Sequence, residues 1–187
     1  MGNTAPNLKK QDADELISTT HYTTKEIKDL HKQYKKEAPQ GTITKKDFKV
    51  VMKGMGFEDP FIHELLFAGF DADRDGVVTF KEFITALSTL TRGSPDEKIE
   101  FTFRMYDIDN VGYLTKPSFL RILESFFKLV GPLVTYAGKK YESAEQLVEE
   151  VFEEMDTSGE GKITLSDYRV AANKNPDIIQ GLKLFSD

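Results

Sequence analysis

Apolar residues recur along this chain at helical spacing, and the runs are broken by short polar stretches rich in Asp, Gly and Thr. Leu147, Val148, Val151, Phe152 and Met155 form one such apolar stripe. Ile99, Phe103 and Tyr106 form another. Pro60 opens a further helix, whose inner face reads as Phe61, Leu65 and Phe70. Polar caps mark several helix starts. Thr23 with Glu26, Ser94 with Glu97 and Ser143 with Gln146 fit the capping box, in which a hydroxyl accepts the N–H three residues on and the Glu or Gln returns to the cap's own N–H. Pro95, just after Ser94, suits a first helical position.

The polar stretches between helices repeat. Four of them carry a Gly followed two residues later by a β-branched or aliphatic residue: Gly41/Ile43, Gly76/Val78, Gly112/Leu114 and Gly161/Ile163. Counting back five residues from each Gly puts loop starts at Lys36, Asp71, Asp107 and Asp156. The first two starts are closer together than the last two. The extra length falls in residues 131–142, which read as a loop with Gly, Pro and Lys-Lys. Paired loops of this kind share a short ribbon, so Ile43 should face Val78, and Leu114 should face Ile163.

A helix–loop–helix unit with a twelve-residue loop is the EF-hand, and its ligand positions are 1, 3, 5, 7 (a backbone carbonyl), 9 and 12, with Gly at 6 for the turn. Calcium takes oxygen ligands, which is why these positions carry carboxylates. The second loop, DADRDGVVTFKE, meets every requirement. Asp71, Asp73 and Asp75 occupy positions 1, 3 and 5. Val77 offers its carbonyl, Thr79 acts through water, and Glu82 at position 12 reaches with two oxygens. The first loop places Lys36 where the first carboxylate belongs, has no side-chain oxygen at Ala38, and is stiffened by Pro39; its expected role is to pair with the second loop. The third loop starts with Asp107 and Asp109 and then offers Val111 and Ser118 where ligands five and twelve belong, so an empty hand is expected. The fourth offers Asp156, Ser158, Glu160, the Lys162 carbonyl and Asp167. Asp167 is one methylene shorter than Glu and favours a single oxygen, which suits smaller, six-coordinate Mg²⁺ better than Ca²⁺ and leaves calcium occupancy open.

The expected fold is therefore all-α: four EF-hand units in two lobes, with short two-stranded ribbons joining the loops. Thr91-Arg92-Gly93 reads as the hinge, dividing a lobe of residues 1–92 (hands one and two) from a lobe of residues 93–187 (hands three and four). Composition changes little in this picture. The chain has 187 residues, 39% hydrophobic and 30% charged, as in an ordinary globular protein. Its net charge of -6 does not favour nucleic acid as a partner. There are no cysteines, which excludes disulfides and thiolate metal sites. No run is long and apolar enough to span a membrane, and the polar start MGNTAPNLKK is unlike a signal peptide, so a cytoplasmic location is expected. His21, His31 and His63 are scattered with no nucleophile or phosphate loop beside them, so no enzyme activity is expected.

Several stretches resemble the neuronal calcium sensor family, which includes recoverin, frequenin and the visinin-like proteins. They are Thr20-His21-Tyr22 through Glu26-Ile27, which is similar to the family's entry helix; Phe83-Ile84-Thr85-Ala86-Leu87-Ser88; Arg92-Gly93-Ser94-Pro95-Asp96-Glu97-Lys98; Met105-Tyr106-Asp107-Ile108-Asp109; and the tail from Asn175-Pro176-Asp177-Ile178 to Leu184-Phe185. The disabled first hand with its Pro also matches. The resemblance implies a sensor that exposes an apolar groove on binding Ca²⁺ and regulates a target protein through an amphipathic helix. It also implies a myristoyl group on Gly2 and reversible, peripheral membrane contact. The acylation motif calls for Ser or Thr at residue 6, where this chain has Pro6. Groove-lining residues are expected among Phe48, Val51, Phe61, Phe80 and Phe83. Part of the third hand, Phe103 to Asp109, also resembles calcineurin B-like proteins, which makes a constitutive regulatory subunit of an enzyme the alternative.

Overall fold

Each hand passes its chain to the following helix by one device. The Thr at loop position nine caps the helix, and the residue at position twelve returns a bond to it. The pairs are Thr44 with Asp47, Thr79 with Glu82, Thr115 with Ser118 and Thr164 with Asp167. Each Thr hydroxyl accepts the backbone N–H of its partner, and the partner's side chain accepts the Thr N–H. The Gly at position six holds the left-handed turn, with φ of 94° at Gly41, 90° at Gly76, 83° at Gly112 and 72° at Gly161.

The computed structural model describes residues 8–131, 134–136 and 138–175. Within them, α1 (Lys10–Thr19) precedes hand one, which is α2 (Thr24–Glu37), β1 (Thr42–Thr44) and α3 (Lys45–Gly54). Hand two is α4 (Pro60–Phe70), β2 (Val77–Thr79) and α5 (Phe80–Arg92). Hand three is α6 (Pro95–Tyr106), β3 (Tyr113–Thr115) and α7 (Lys116–Val130). The hairpin β4 (Val134–Tyr136) and β5 (Lys139–Tyr141) leads to hand four: α8 (Ala144–Met155), β6 (Lys162–Thr164) and α9 (Leu165–Lys174).

The ribbons have the expected register. β1 and β2 are antiparallel with Ile43 opposite Val78, and β3 and β6 are antiparallel with Leu114 opposite Ile163. Val78, Leu114 and Ile163 are buried, so each ribbon drives its central residue into the core. Loop one joins its neighbour as expected. Ala38 is buried, and the Tyr34 hydroxyl donates to the Val78 carbonyl at 2.7 Å.

Four local readings are corrected. Residues 131–142 hold a third ribbon, β4–β5, with Tyr136 opposite Lys139. Buried Tyr136 and Tyr141 anchor it, and the Tyr136 hydroxyl donates to Glu154 of α8 at 2.9 Å. The entry helix of hand one, α2, starts later than the Thr20–Ile27 stretch, since Thr20–Thr23 is a connection ending in its cap, and α1 precedes it. Ser143 accepts the Gln146 N–H without a full capping box. The inner face of α4 is broader than three residues: Ile62, Leu65, Leu66 and Phe67 are buried, while Phe61 and Phe70 are half-buried.

Two apolar clusters hold the helices. The smaller joins Leu16, Tyr22, Ile27, Tyr34, Phe80 and Ile84, docking α1 and α2 on α5. The larger runs from Phe48 through Leu65, Val78 and Leu90 to Ile99, Met105, Val151 and Tyr168, so one core continues across Gly93. Its tightest crossing is α4 on α6. A Cβ at Gly69 would lie 3.0 Å from Phe101 and 3.3 Å from Met105, so any larger residue would make those side chains give way. The connection at Gly93 is tied to the start of α2. Arg92 pairs with Glu26 at 2.6 Å and lies over the Tyr22 ring, and His21 pairs with Glu97 at 3.0 Å.

Candidate metal centre

Loop two is built around Asp71, the last residue before the turn and 96% shielded by the end of α4 and the ribbon (4% exposed). Its Oδ1 accepts the Asp75 N–H at 3.1 Å, and its Oδ2 accepts the Gly76 N–H at 3.0 Å. Those two bonds wrap the backbone round the carboxylate. Arg74, between positions three and five, holds the left-handed region with φ 62°. From the far side, α5 presents Glu82 in its first turn. Glu82 Oε2 accepts the Thr79 N–H at 2.9 Å and its hydroxyl at 2.8 Å, while Oε1 accepts the Ala72 N–H at 2.9 Å.

Carboxylate oxygens of Asp71, Asp73 and Glu82 lie within 4.8 Å of one another. Oxygens about 2.3–2.6 Å from one calcium ion can stand no more than about 5 Å apart, so three ligands already sit within a single shell. The donor set is all oxygen, as a hard cation requires. Asp75 stands outside this triplet, its Oδ1 held by the Val77 N–H at 2.9 Å. Among the described residues no other group of three carboxylate, thiolate or imidazole ligands converges in this way.

The electrostatics agree with the geometry. Burial pushes the Asp71 carboxyl up, and the nearby Glu82 and Asp75 charges add to that push. Burial works in the same direction on Glu82, but the bonds from Thr79, Asp73 and Ala72 outweigh it and hold Glu82 below the ordinary carboxylate range. A fixed acceptor therefore faces a strained one, and a dication between them would relieve the repulsion.

Loops three and four share the first half of this construction. Asp107 Oδ1 accepts the Val111 N–H at 3.0 Å, and its Oδ2 accepts the Gly112 N–H at 2.8 Å. Opposite it stands Ser118, whose hydroxyl is used to cap α7. In loop four Asp156 accepts the Glu160 N–H at 3.1 Å and the Gly161 N–H at 2.7 Å. Ser158 donates to Asp156 at 3.2 Å. Glu160 pairs with the Lys162 ammonium at 2.9 Å. Bonds from Thr164, its hydroxyl first, hold Asp167 low.

Beside hand two lies an apolar groove of about 530 Å³. Val51 and Met52 of α3, Met55 just past its end, Phe70 of α4, Phe83 and Leu87 of α5, and Phe101 of α6 line it. Phe48, Val51 and Phe83 take the place expected for them. Phe61 and Phe80 do not: Phe61 lies under the Arg121 guanidinium, and Phe80 is buried against His31 and Tyr34. The histidines play structural parts, with His63 buried and bonded to the Phe57 carbonyl. Gly2 and the tail beyond Asn175 lie outside the described residues. No described helix is long and apolar enough to cross a membrane. One residue went unnoticed in the sequence. Arg74, at loop position four, donates to three carbonyls of hand three, and nothing local marks a contact 30 residues or more away.

A family model described as an EF-hand domain pair matches residues 96–171. Another, described as the USP32 N-terminal domain, matches residues 18–111. The calcium-binding protein NCSA of Dictyostelium discoideum is 47% identical over 186 residues, 100% of each chain. Neuronal calcium sensor 1 of Lymnaea stagnalis is 35% identical over 186 residues, 98% of this chain and 97% of that protein.

Proposed function

Because the chain belongs to the neuronal calcium sensor family, we propose that it is a calcium sensor whose second hand holds the ion and whose groove takes an amphipathic helix of a target protein. The convergence of Asp71, Asp73 and Glu82 carries this reading. Asp75 and the Val77 carbonyl complete the shell. Calcium supplies the charge that lets these anions close on one point.

The route from ion to groove runs through α5. Glu82 is in the first turn of that helix, and Phe83 and Leu87 of the same helix wall the groove. Drawing Glu82 onto an ion turns α5 against α3 and α4 and widens the groove for an apolar helix face. Hand four is the second candidate site, through Asp156, Ser158, Glu160, the Lys162 carbonyl and Asp167, with Mg²⁺ or Ca²⁺ as its ion.

A peripheral membrane contact has its own support. Residues 1–55 hold eleven lysines against seven acidic residues, in a chain that is acidic as a whole. Lys25, Lys28, Lys32 and Lys36 are exposed on one face of α2, a stripe about 16 Å long. Each lysine near an anionic lipid surface contributes about 1 kcal/mol. A myristoyl group on Gly2 alone would bind a bilayer only marginally and reversibly. The relatives' names favour a sensor over a constitutive subunit.

The test is binding of an apolar fluorescent dye to the full chain in chelator and in calcium. The proposal expects dye fluorescence to rise with calcium and to stay at the chelator level in Glu82→Gln. Fluorescence indifferent to calcium would overturn the opening of the groove.

A further inference from the structure

Arg74 of loop two caps the end of α6, and Arg104 of α6 caps the end of α4. The last carbonyls of a helix lack intrahelical donors and carry its negative pole. In α6 one of these is the Arg104 carbonyl, and it accepts from Arg74 Nη2 at 2.9 Å. The same guanidinium donates to Asp107 at 2.9 Å and to Ile108 at 3.0 Å, the first two residues of loop three. In return, Arg104 Nη2 donates to the Gly69 carbonyl, in the last turn of α4, at 3.0 Å. The metal loop of hand two and the root of hand three are thus strapped together twice, where α4 and α6 approach most closely.

The strap is electrostatically poised. Two guanidiniums lie near enough for their charges to act on each other in a partly buried place, and both Nε atoms are buried with no partner among the described residues. Burial, and then the Arg74 charge, pull Arg104 below the ordinary guanidinium range, while Glu82 and Glu100 act to hold it up. Glu82 therefore serves two masters, as the closing ligand of loop two and as a countercharge for Arg104. Arg74 itself lies between Asp73 and Asp75 in the chain, so closure of the loop on an ion acts on its backbone directly.

We propose that Arg74 is a positioning residue that couples calcium at hand two to hand three, the ion loosening the strap and freeing the end of α6 and loop three. This rests on the reading of hand two as a calcium site. It gives the third hand a part that needs no ion of its own. The dication consumes the Glu82 charge and repels both guanidiniums, so the bonds from Arg74 to the three carbonyls weaken as loop two fills. By linkage, deleting the strap tightens calcium binding by the factor with which calcium loosens the strap.

The test is amide hydrogen exchange of the full chain in chelator and in saturating calcium, with binding followed by calorimetry on the same samples. The reporters are the N–H groups of Asn110, Val111 and Gly112, which bond to Asp107. Calcium should speed their exchange by about 5-fold or more in the natural chain. In Arg74→Ala they should exchange fast in chelator and respond no further, while calcium still binds, about 5-fold more tightly. Arg74→Lys keeps the charge without the fork and should give an intermediate response. If Arg74→Ala loses its helical circular dichroism, Arg74→Lys decides, and a full natural response in it overturns the proposal. So does a calcium response in a folded Arg74→Ala equal to that of the natural chain. Ion-binding heat with unchanged loop-three exchange overturns the coupling and leaves the sensor reading standing. Absence of heat in the natural chain overturns both.

Discussion

Loops two and three grip their first aspartate with the same pair of bonds and part company at the other end. Asp71 and Asp107 each accept the N–H groups of positions five and six. Both loops hold a non-Gly residue at position four in the left-handed region, Arg74 at φ 62° and Asn110 at φ 53°. Both finish by capping a helix with Thr at nine and a partner at twelve. What differs is the pair of side chains at positions five and twelve, Asp75 and Glu82 in loop two against Val111 and Ser118 in loop three. Glu82 caps and reaches across to the Ala72 N–H, whereas Ser118 caps and stops. The shape of a hand therefore comes from backbone bonds and capping. The convergence of carboxylates is an addition that depends on a few side chains, above all the one at position twelve.

The sharpest way to break this contrast is Glu82→Gln. Gln also serves in a capping box, so the fold should hold while the ligand charge is lost. Changes to groups that merely orient metal ligands cost about 10–100-fold in affinity, and loss of the closing ligand should cost about 100-fold or more. Calorimetry with circular dichroism checks both halves. The reverse experiment rebuilds loop three. Val111→Asp with Ser118→Glu restores carboxylates at positions five and twelve on a backbone already wrapped round Asp107. The expected outcome is one added calcium per chain, read as a stoichiometry.

Smaller changes sharpen the comparison. Thr79→Ala and Thr115→Ala each remove a cap and should each lower stability by about 1 kcal/mol in denaturant titration. Thr79→Ala should also weaken calcium binding by about 10-fold, because Thr79 holds Glu82 in place, and Thr115→Ala should leave it unchanged. The smallest effect is expected from acid, away from both loops. The side-chain bond from Arg92 leads the interactions that lower the Glu26 carboxyl from an ordinary 4.5 to about 2. A depressed folded value means that the unfolded chain takes up the proton first as pH falls. The stabilisation is complete above pH 4.5 and drains away between 4.5 and about 2. The melting temperatures of the natural chain and Glu26→Gln should therefore converge over that range. If they differ by the same margin at every pH, the Arg92 pair does not act on stability.

What the sequence made legible was local or periodic. Gly at position six and an aliphatic residue at eight were enough to place the ribbon registers, because each constrains backbone shape. The convergence of Asp71, Asp73 and Glu82 was legible because calcium chemistry dictates residue types at fixed spacing. The β4–β5 ribbon was hidden, since Gly, Pro and two lysines read as a loop and each strand is three residues long. Periodicity marked Phe61 and Phe80 as apolar, but it does not say which of several surfaces a helix face meets. Arg74 was illegible for the same reason, as its partners are set by the crossing of α4 and α6. The pairing of positions nine and twelve as cap and partner was present in all four loops, but it stood behind their role as ligands.

The central claim is that hand two binds calcium through Glu82 and that hand three does not bind it. Calorimetric titration of the chelator-stripped full chain with Ca²⁺, in about 1 mM Mg²⁺ to occupy any Mg-preferring site, tests it most directly when run beside Glu82→Gln and Asp107→Asn. The account predicts saturable binding at micromolar concentrations or below that disappears in Glu82→Gln and persists in Asp107→Asn. No saturable heat, or affinity and stoichiometry unchanged in Glu82→Gln, would contradict it.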